Sequence, residues 1–366
     1  MRIERLDVYS FPVPFKAVFR HASASRSRAE NLIVAVRSDD GITGYGEGCP
    51  RDYVTGETVE GGAAFIRRHA QAIANEVTDG ASLRAWADTH RSEIDEHPAA
   101  FCAIELAVLD LLGKAEGVPV EDIVGVPRID DGFTYSAVLG DSPYLVYRIQ
   151  FWRYRKKGFT DFKVKVSGDL GRDRRKLRVL EGKQLSVRLD ANNLWASADE
   201  CIAHLNALGG GVSAIEEPLT AGDLVGFERV SEACGVRIIL DESLLRVSQL
   251  DGLSSPERWI VNVRVSKMGG IGRALEVVER AASLGMGVIV GAQVGETSIL
   301  TRAGLTVMQA ARPVLAASEG AFGTHLLRED LTAESLMFGG GGVLTLADSG
   351  APGLGLAVHE EMLVEV

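Results

Sequence analysis

Between Thr134 and Ala317 the chain alternates short β-branched or apolar runs with longer amphipathic segments. The short runs are Thr134 to Val138, Asp161 to Val166, Ser186 to Asp190, Ala214 to Glu217, Arg237 to Asp241, Trp259 to Val265, Gly287 to Val290 and Val314 to Ala317. Helical periodicity fills Arg172 to Glu181, Ala198 to Leu208, Leu224 to Ala233, Ile271 to Leu284 and Ser298 to Ala311. Strands separated by helices pair in parallel, and eight such units close into a barrel. The expected fold is therefore α/β, a modified TIM-type (β/α) barrel. A doubly wound open sheet is the rival arrangement.

A chain of 366 residues is long for one core, so the barrel should carry a smaller partner domain. Arg2 to Phe11 alternates apolar and polar residues, and Asn31 to Arg37 and Ile42 to Glu47 flank the hairpin turn Asp39-Asp40-Gly41. Phe15 to Arg28 reads as a polar, irregular loop, long enough to serve as a lid. Helical periodicity follows in Val59 to Glu76, Leu83 to Glu93 and Ala99 to Glu116, and Gly117 and Pro119 stop the last helix. The expected layout is an N-terminal α+β capping domain over 1–125, the catalytic barrel over 126–320, and a segment over 321–366 returning to the cap.

Several function classes are disfavoured. A net charge of -11 suits neither nucleic acid nor an anionic membrane. The basic run Arg153, Arg155, Lys156, Lys157 and the Arg172 to Arg178 segment read as solvated helix faces. No apolar stretch follows Met1, and the uncharged run Ala281 to Gly295 is too short and Gly-rich to span a bilayer. Cys49, Cys102, Cys201 and Cys234 form no CxxC pair, which fits reduced thiols in a cytoplasmic protein. The seven histidines form no zinc motif.

In such a barrel the chemistry sits at the C-terminal strand ends. The charged residues there are Lys163 and Lys165, Asp190, Glu216, Asp241 and then Lys267. Singly, Asp190 could be a turn residue, Glu216 a strand end and Asp241 a helix cap. Together the three acids fall one strand–helix unit apart and would converge. Carboxylates are the ligands Mg²⁺ prefers, and acids gathered without a cation repel. Lys163 and Lys165, two apart on a strand, point to one face. Lys267 follows the sixth strand, opposite the second, so Lys165 and Lys267 should approach a substrate from opposite sides.

Lys163-Val164-Lys165, Asp190-Ala191-Asn192, Ile215-Glu216-Glu217-Pro218, Asp241-Glu242-Ser243 and Asn262 through Lys267-Met268-Gly269-Gly270 resemble the motif series of the enolase superfamily, in particular its muconate lactonizing enzyme (muconate cycloisomerase) subgroup. Gly44-Tyr45-Gly46-Glu47-Gly48 matches the capping-domain motif. The resemblance implies abstraction of a proton next to a carboxylate, with Asp190, Glu216 and Asp241 holding Mg²⁺, or Mn²⁺ in its place. It implies Lys165 and Lys267 as acid/base groups and Lys163 as their tuning neighbour, with a Lys or His base general to the superfamily. Asn192 and Glu242 would support them. Glu296 would touch the substrate or pair with Lys163 or Lys267, and in the lid, which holds His21, Arg26 and Arg28, either Arg26 or Arg28 would bind a second carboxylate. The partners implied are a small carboxylate and further copies of the chain.

This sequence also departs from the pattern. The stretch from Lys165 to Asp190 is short, so the second barrel helix should be clipped, and Arg264 stands where lysine is common. Ala321 and Gly323 occupy the Asp-x-Asp positions of dipeptide epimerases, which argues against that substrate class. Ala292-Gln293-Val294 lacks the histidine of the mandelate racemase subgroup. Gly269-Gly270-Ile271-Gly272 lacks dinucleotide-binding spacing. The expected activity is that of a cycloisomerase-like or racemase/epimerase-like isomerase. Elimination like that of succinylbenzoate synthase, and a non-catalytic barrel, are the alternatives.

Overall fold

The computed structural model describes residues 2–20 and 25–366, the side chains of residues 17–20, 25 and 26 excepted. The chain opens with a long antiparallel hairpin, β1 (Ile3–Arg20) and β2 (Ser25–Ser38), followed by β3 (Thr43–Gly48). Helices α1 (Val59–Glu76), α2 (Gly80–Thr89), α3 (Arg91–Glu96), α4 (Pro98–Glu116) and α5 (Val120–Val124) complete the cap. Gly44, Gly46 and Gly48 alternate along the face of β3 that meets α4. A Cβ at any of them would overlap the carbonyl oxygens of Ala107, Ala103 or Ala99. The spacing of these glycines thus lets a strand lie directly on helix backbone.

The Phe15 to Arg28 segment corrects the sequence reading. It is not an irregular loop: β1 continues to Arg20 and β2 starts at Ser25, with a register shift between Pro14 and Phe19. The outer edge of β1 is paired there by residues more than 300 positions away. Lys16 N donates to Leu326 O and Arg328 N to Pro14 O, each at 2.8–3.0 Å. A ladder partner so distant leaves no local trace in the sequence. His21 lies outside the described residues, as does the side chain of Arg26. Arg28 is exposed and pairs with Glu30.

After β4 (Phe133–Thr134) the barrel strands follow in order. They are β5 (Ala137–Leu139), β6 (Asp161–Lys165), β7 (Ser186–Asp190), β8 (Ala214–Glu216), β9 (Arg237–Leu240), β10 (Trp259–Arg264), β11 (Gly287–Gly291) and β12 (Leu315–Ser318). Each pairs in parallel with the next. Ser136 N donates to Ser318 O at 2.8 Å and joins the last strand to the first. The crossovers carry α6 (Tyr144–Lys156), α7 (Leu170–Arg178), α8 (Ala198–Leu208), α9 (Leu224–Cys234), α10 (Val265–Met268), α11 (Ile271–Leu284) and α12 (Ser298–Ala311). Helix α7 has nine residues, the clipped helix expected from the Lys165 to Asp190 spacing. Between β9 and β10 the crossover consists of 3₁₀ turns. The curled parallel sheet with a capping domain is the α/β barrel architecture expected.

The chain then returns to the cap. β13 (Val343–Leu344) pairs with β4, and β14 (Val364–Glu365) adds a strand beside β1. Thr134 therefore belongs to a separate ribbon and the first barrel strand starts later than its apolar run.

Three buried carboxylates lock cap to barrel. Glu47 of β3 accepts from Thr297 N at 2.9 Å, Thr297 Oγ1 at 2.7 Å and Leu300 N at 3.1 Å, all at the start of α12. Glu105 of α4 accepts from the N–H groups of Ile271 and Gly272, the first turn of α11. Gly270, at φ +109°, precedes that turn, and a Cβ there would strike the Glu105 carboxylate. Glu121 of α5 takes the Arg302 guanidinium of α12 through paired bonds of 2.7 and 2.8 Å. The first turn of a helix has free N–H donors and a partial positive charge, so a carboxylate from another domain is a strong partner for it. Glu47→Ala should leave these donors buried without acceptors and cost about 2–4 kcal/mol of stability. A urea denaturation midpoint unchanged from the wild type would refute the assignment.

Candidate active site

Side chains on a strand alternate between the barrel interior and the helix layer. Ala214, Ile239, Ile260, Ile289 and Ala317 form a small apolar cluster of their own, separate from the main core. They floor the barrel interior. Two residues further along each strand the side chains are Glu216, Asp241, Asn262, Gly291 and Glu319. On β6 and β7 the same period gives Asp161, Lys163, Lys165 and Arg188, Asp190. On β10 it continues to Arg264. A charged layer thus lies directly above the apolar floor.

Lys163 is at the centre of that layer. Its Nζ lies 2.6 Å from Glu216, 2.9 Å from Glu319 and 3.6 Å from Asp190. Burial opposes its charge, but Glu216, Glu319 and Asp190 together outweigh burial and hold the ammonium well above its ordinary range. Glu319 also meets Arg188 at 3.2 Å, and Arg188 binds Asp161 at 2.8 Å. Burial alone would raise Glu319; Lys163 and Arg188 overcome it and pull the carboxyl down. Glu216 is pushed up to about 7 by burial, against the pull of Lys163.

Lys165 ends β6 with its side chain 23% exposed, the most open amine in the layer. Its Nζ stands 3.5 Å from Asp190 and 3.3 Å from Asn192 Oδ1. Asn192 holds φ +46°, a left-handed conformation that turns its amide back to donate to Asp190 Oδ1 at 2.5 Å. The structure brings Lys163, Lys165, Asp190, Asn192 and Glu216 together as the sequence suggested.

Lys267 is placed differently from the sequence expectation. It lies beyond the end of β10, in α10, with its side chain 0% exposed. Its three protons meet Asp241 O at 2.7 Å, Asp241 Oδ1 at 2.9 Å and Asn262 O at 2.9 Å. Burial, with Arg264 next, drives it down to about 7, yet every N–H is directed at an oxygen beneath the mouth. The sixth-strand cation that does reach the mouth is Arg264, 13% exposed. Its guanidinium lies against Asp241 Oδ2 and donates to Gln293 Oε1 at 2.9 Å.

Around this layer, Glu217 leaves the strand conformation at φ +41° and reaches the next strand end. It accepts from Asp241 N at 2.7 Å, Ser243 N at 2.9 Å and Ser243 Oγ at 2.6 Å, fixing the turn that carries Asp241. Glu242 is raised to about 7 by burial and by neighbouring Glu217 and Glu216. Glu296 accepts from Gln293 N at 2.5 Å, and burial pushes it up to about 8. It stands where the cap meets the seventh strand, beside Glu47, Arg264 and Arg51. A cleft of about 590 Å³ between α2, α5 and α11 lies away from all these groups.

Sequence reading missed Glu319, Arg188 and the inward face of Arg264. Glu319 directly follows β12, a strand-end position like those of the other acids. Arg188 and Arg264 fall on the two-residue period of their strands.

The acids suit a divalent cation by chemistry. All three donors are carboxylates, and Glu216 Oε2 and Asp241 Oδ2 are buried oxygens that accept no well-directed hydrogen bond. Among the described residues no three Asp, Glu, His or Cys groups are drawn close enough to form a metal cage, because Lys163 and Arg264 lie between them.

A barrel with acids and amines gathered at its strand ends defines an enzyme, one equipped for proton transfer beside a stabilised anion. Residues 5–125 match the N-terminal domain of the mandelate racemase / muconate lactonizing enzyme family, and residues 147–362 match its enolase C-terminal domain-like model. The chain belongs to that family, a branch of the enolase superfamily whose members of this type are isomerases. It is 27% identical over 314 residues to an N-succinyl-L-Arg/Lys racemase from Bacillus cereus, covering 84% of each chain. A dipeptide epimerase from Enterococcus faecalis, solved with Mg and the dipeptide L-Leu-L-Tyr, superposes with TM-score 0.87 at 25% identity, over 98% of this chain and 100% of the other. Muconate lactonizing enzyme from Pseudomonas fluorescens shares the fold, with TM-score 0.86 at 24% identity over 99% and 98% of the chains. No described helix is long and apolar enough to cross a membrane.

Glu319 neutralises two buried cations at once. Glu319→Ala should destabilise the protein by about 3–5 kcal/mol, the cost of breaking a buried ion pair. Thermal and chemical melts of the variant check this, and an undiminished midpoint would show that Lys163 and Arg188 do not depend on it.

Proposed function

We propose that this isomerase abstracts the proton α to a carboxylate, using Lys165 as the base and a divalent cation held by Asp190, Glu216 and Asp241. The observation that carries the reading is the placement of three acids at consecutive strand ends, Asp190 and Glu216 against Lys163 and Asp241 against Arg264, with Lys165 the amine open to the mouth. Magnesium, or manganese in its place, would supply Lewis-acid stabilisation of the substrate carboxylate when bound. The rest is the work of side chains. Lys163 keeps its charge because acids surround it, so it is a fixed positive neighbour for the enolate-like charge rather than a base. Asn192 orients Lys165 against Asp190. Glu217 fixes the turn bearing Asp241, and Glu242 lies next to it.

The substrate is a small carboxylate. The dipeptide specificity of some relatives is not carried over, because Ala321 and Gly323 supply no carboxylate at the eighth-strand loop. Selection of the distal part of the substrate is assigned, in this reading, to Glu296 and Arg26. The same reading expects a cytoplasmic homo-oligomer.

Calorimetric titration with Mg²⁺ tests the metal assignment. One ion per chain is expected, and Asp190→Asn, Glu216→Gln or Asp241→Asn should each weaken it by about tenfold or more, since loss of even a supporting residue of a metal site costs that much. Unchanged affinity in all three variants would remove these acids from the metal site. Added EDTA should abolish α-proton exchange in the same samples.

A further inference from the structure

We infer that the enzyme works from one face only: Lys165 is its single proton-transferring group, and Arg264 closes the opposite face with a cation that holds no exchangeable base. The inference rests on the proton-abstraction reading above and specifies its course. The second and sixth strands of an eight-stranded ring face each other, so β6 and β10 supply the groups on the two sides of a bound substrate.

Only two nitrogens answer to those positions. On β6 it is Lys165 Nζ, at the strand end and part exposed. On β10 the two-residue period from Ile260 through Asn262 puts Arg264 at the strand end, where its guanidinium touches Asp241 and Gln293. Lys267, three residues on, is carried by α10 to the underside of the turn and is sealed by Asp241 and Asn262. A guanidinium stays protonated in proteins and offers donors without an acceptor. It can bind an anion, but it can neither take a proton from the far face nor be left with one to return.

The chemistry follows. Lys165 takes the α-proton: the C–H bond breaks, an N–H bond forms, and the electron pair moves into the carboxylate. The proton, or a deuteron exchanged with solvent, comes back from the ammonium of Lys165 to the same face. Configuration is therefore retained. Net change requires the electron pair to form a C=C bond as the bond from the β-carbon to an anionic group breaks and that group leaves with its bonding pair, as when a lactone ring opens and releases its carboxylate. Arg264 is placed to meet that second anionic group. A dicarboxylate, or a carboxylate with an anionic β-substituent, fits this site better than a substrate whose only change is inversion.

The test uses the full-length protein with Mg²⁺ in D₂O, presented with N-succinyl-L-arginine, L-Leu-L-Tyr and muconolactone. Proton NMR follows α-exchange, and chiral chromatography follows inversion. The wild type is expected to exchange without forming the opposite enantiomer, and Lys165→Ala to lose exchange. Arg264→Lys should gain inversion by at least tenfold over the wild type, whereas whatever exchange Arg264→Gln shows should proceed without inversion. Inversion by the wild type overturns the one-face course and leaves proton abstraction standing. Absence of inversion in a folded, Mg²⁺-binding Arg264→Lys shows that Arg264 is not the far-face group and likewise overturns it. No exchange by the wild type or by either Arg264 variant rejects the abstraction reading itself, and the inference with it.

Discussion

The barrel mouth depends on the ammonium of Lys163. Asp190, Glu216 and Glu319 arrive from the third, fourth and eighth strands, and each is almost wholly buried. Two like charges 4 Å apart in a protein interior repel by about 4 kcal/mol at an effective dielectric near 20. Three acids would not gather without a cation among them. Lys163 is that cation, and its partners extend the pairing downward. Glu319 links it to Arg188, Arg188 to Asp161 and Ser136, and Ser136 N bonds Ser318 O between the first and last strands. The interactions that gather the acids therefore also help to hold the ring shut. Charge balance and closure are one arrangement.

The cap is fixed by a related device. Glu47 and Glu105 each satisfy the first turn of a barrel helix, and those helices follow the seventh and sixth strands. The strands that carry Arg264 and Gln293 are thus the ones whose helices the cap grips. This places the cap residues Glu47 and Arg51 beside Glu296 and Arg264 at the barrel mouth. It also assigns the glycines of Gly269-Gly270 a structural role. Gly270 leaves room for the Glu105 carboxylate, and no nucleotide is needed to account for the motif.

Much of this was legible in the sequence. Apolar runs found all eight barrel strands to within a few residues, because interior and helix-facing positions on a buried parallel strand are both apolar. The acids emerged from their regular spacing. What stayed hidden was non-local. The outer pairing of β1 comes from Leu326 and Arg328, so Phe15 to Arg20 looked like loop. Glu319 lay two residues past the eighth apolar run, beyond Ser318. Lys267 drew attention because it closes a recognisable motif, while the two-residue period of β10 points instead to Arg264. Motif strings give residue order; only the strand period gives the face.

That distinction bears on how far similarity can be taken. Relatives at 25–27% identity share the family and its fold, and their names divide among racemases and epimerases. In the proposed reading, the half-reaction needs a base, a metal site and a buried cation. The outcome needs one thing more, the nature of the group that faces Lys165 across the ring. An amine there can exchange a proton and invert a centre. A guanidinium can only hold charge. The proposed site therefore separates into a layer that fixes what is abstracted and a single side chain, Arg264, that fixes what happens next.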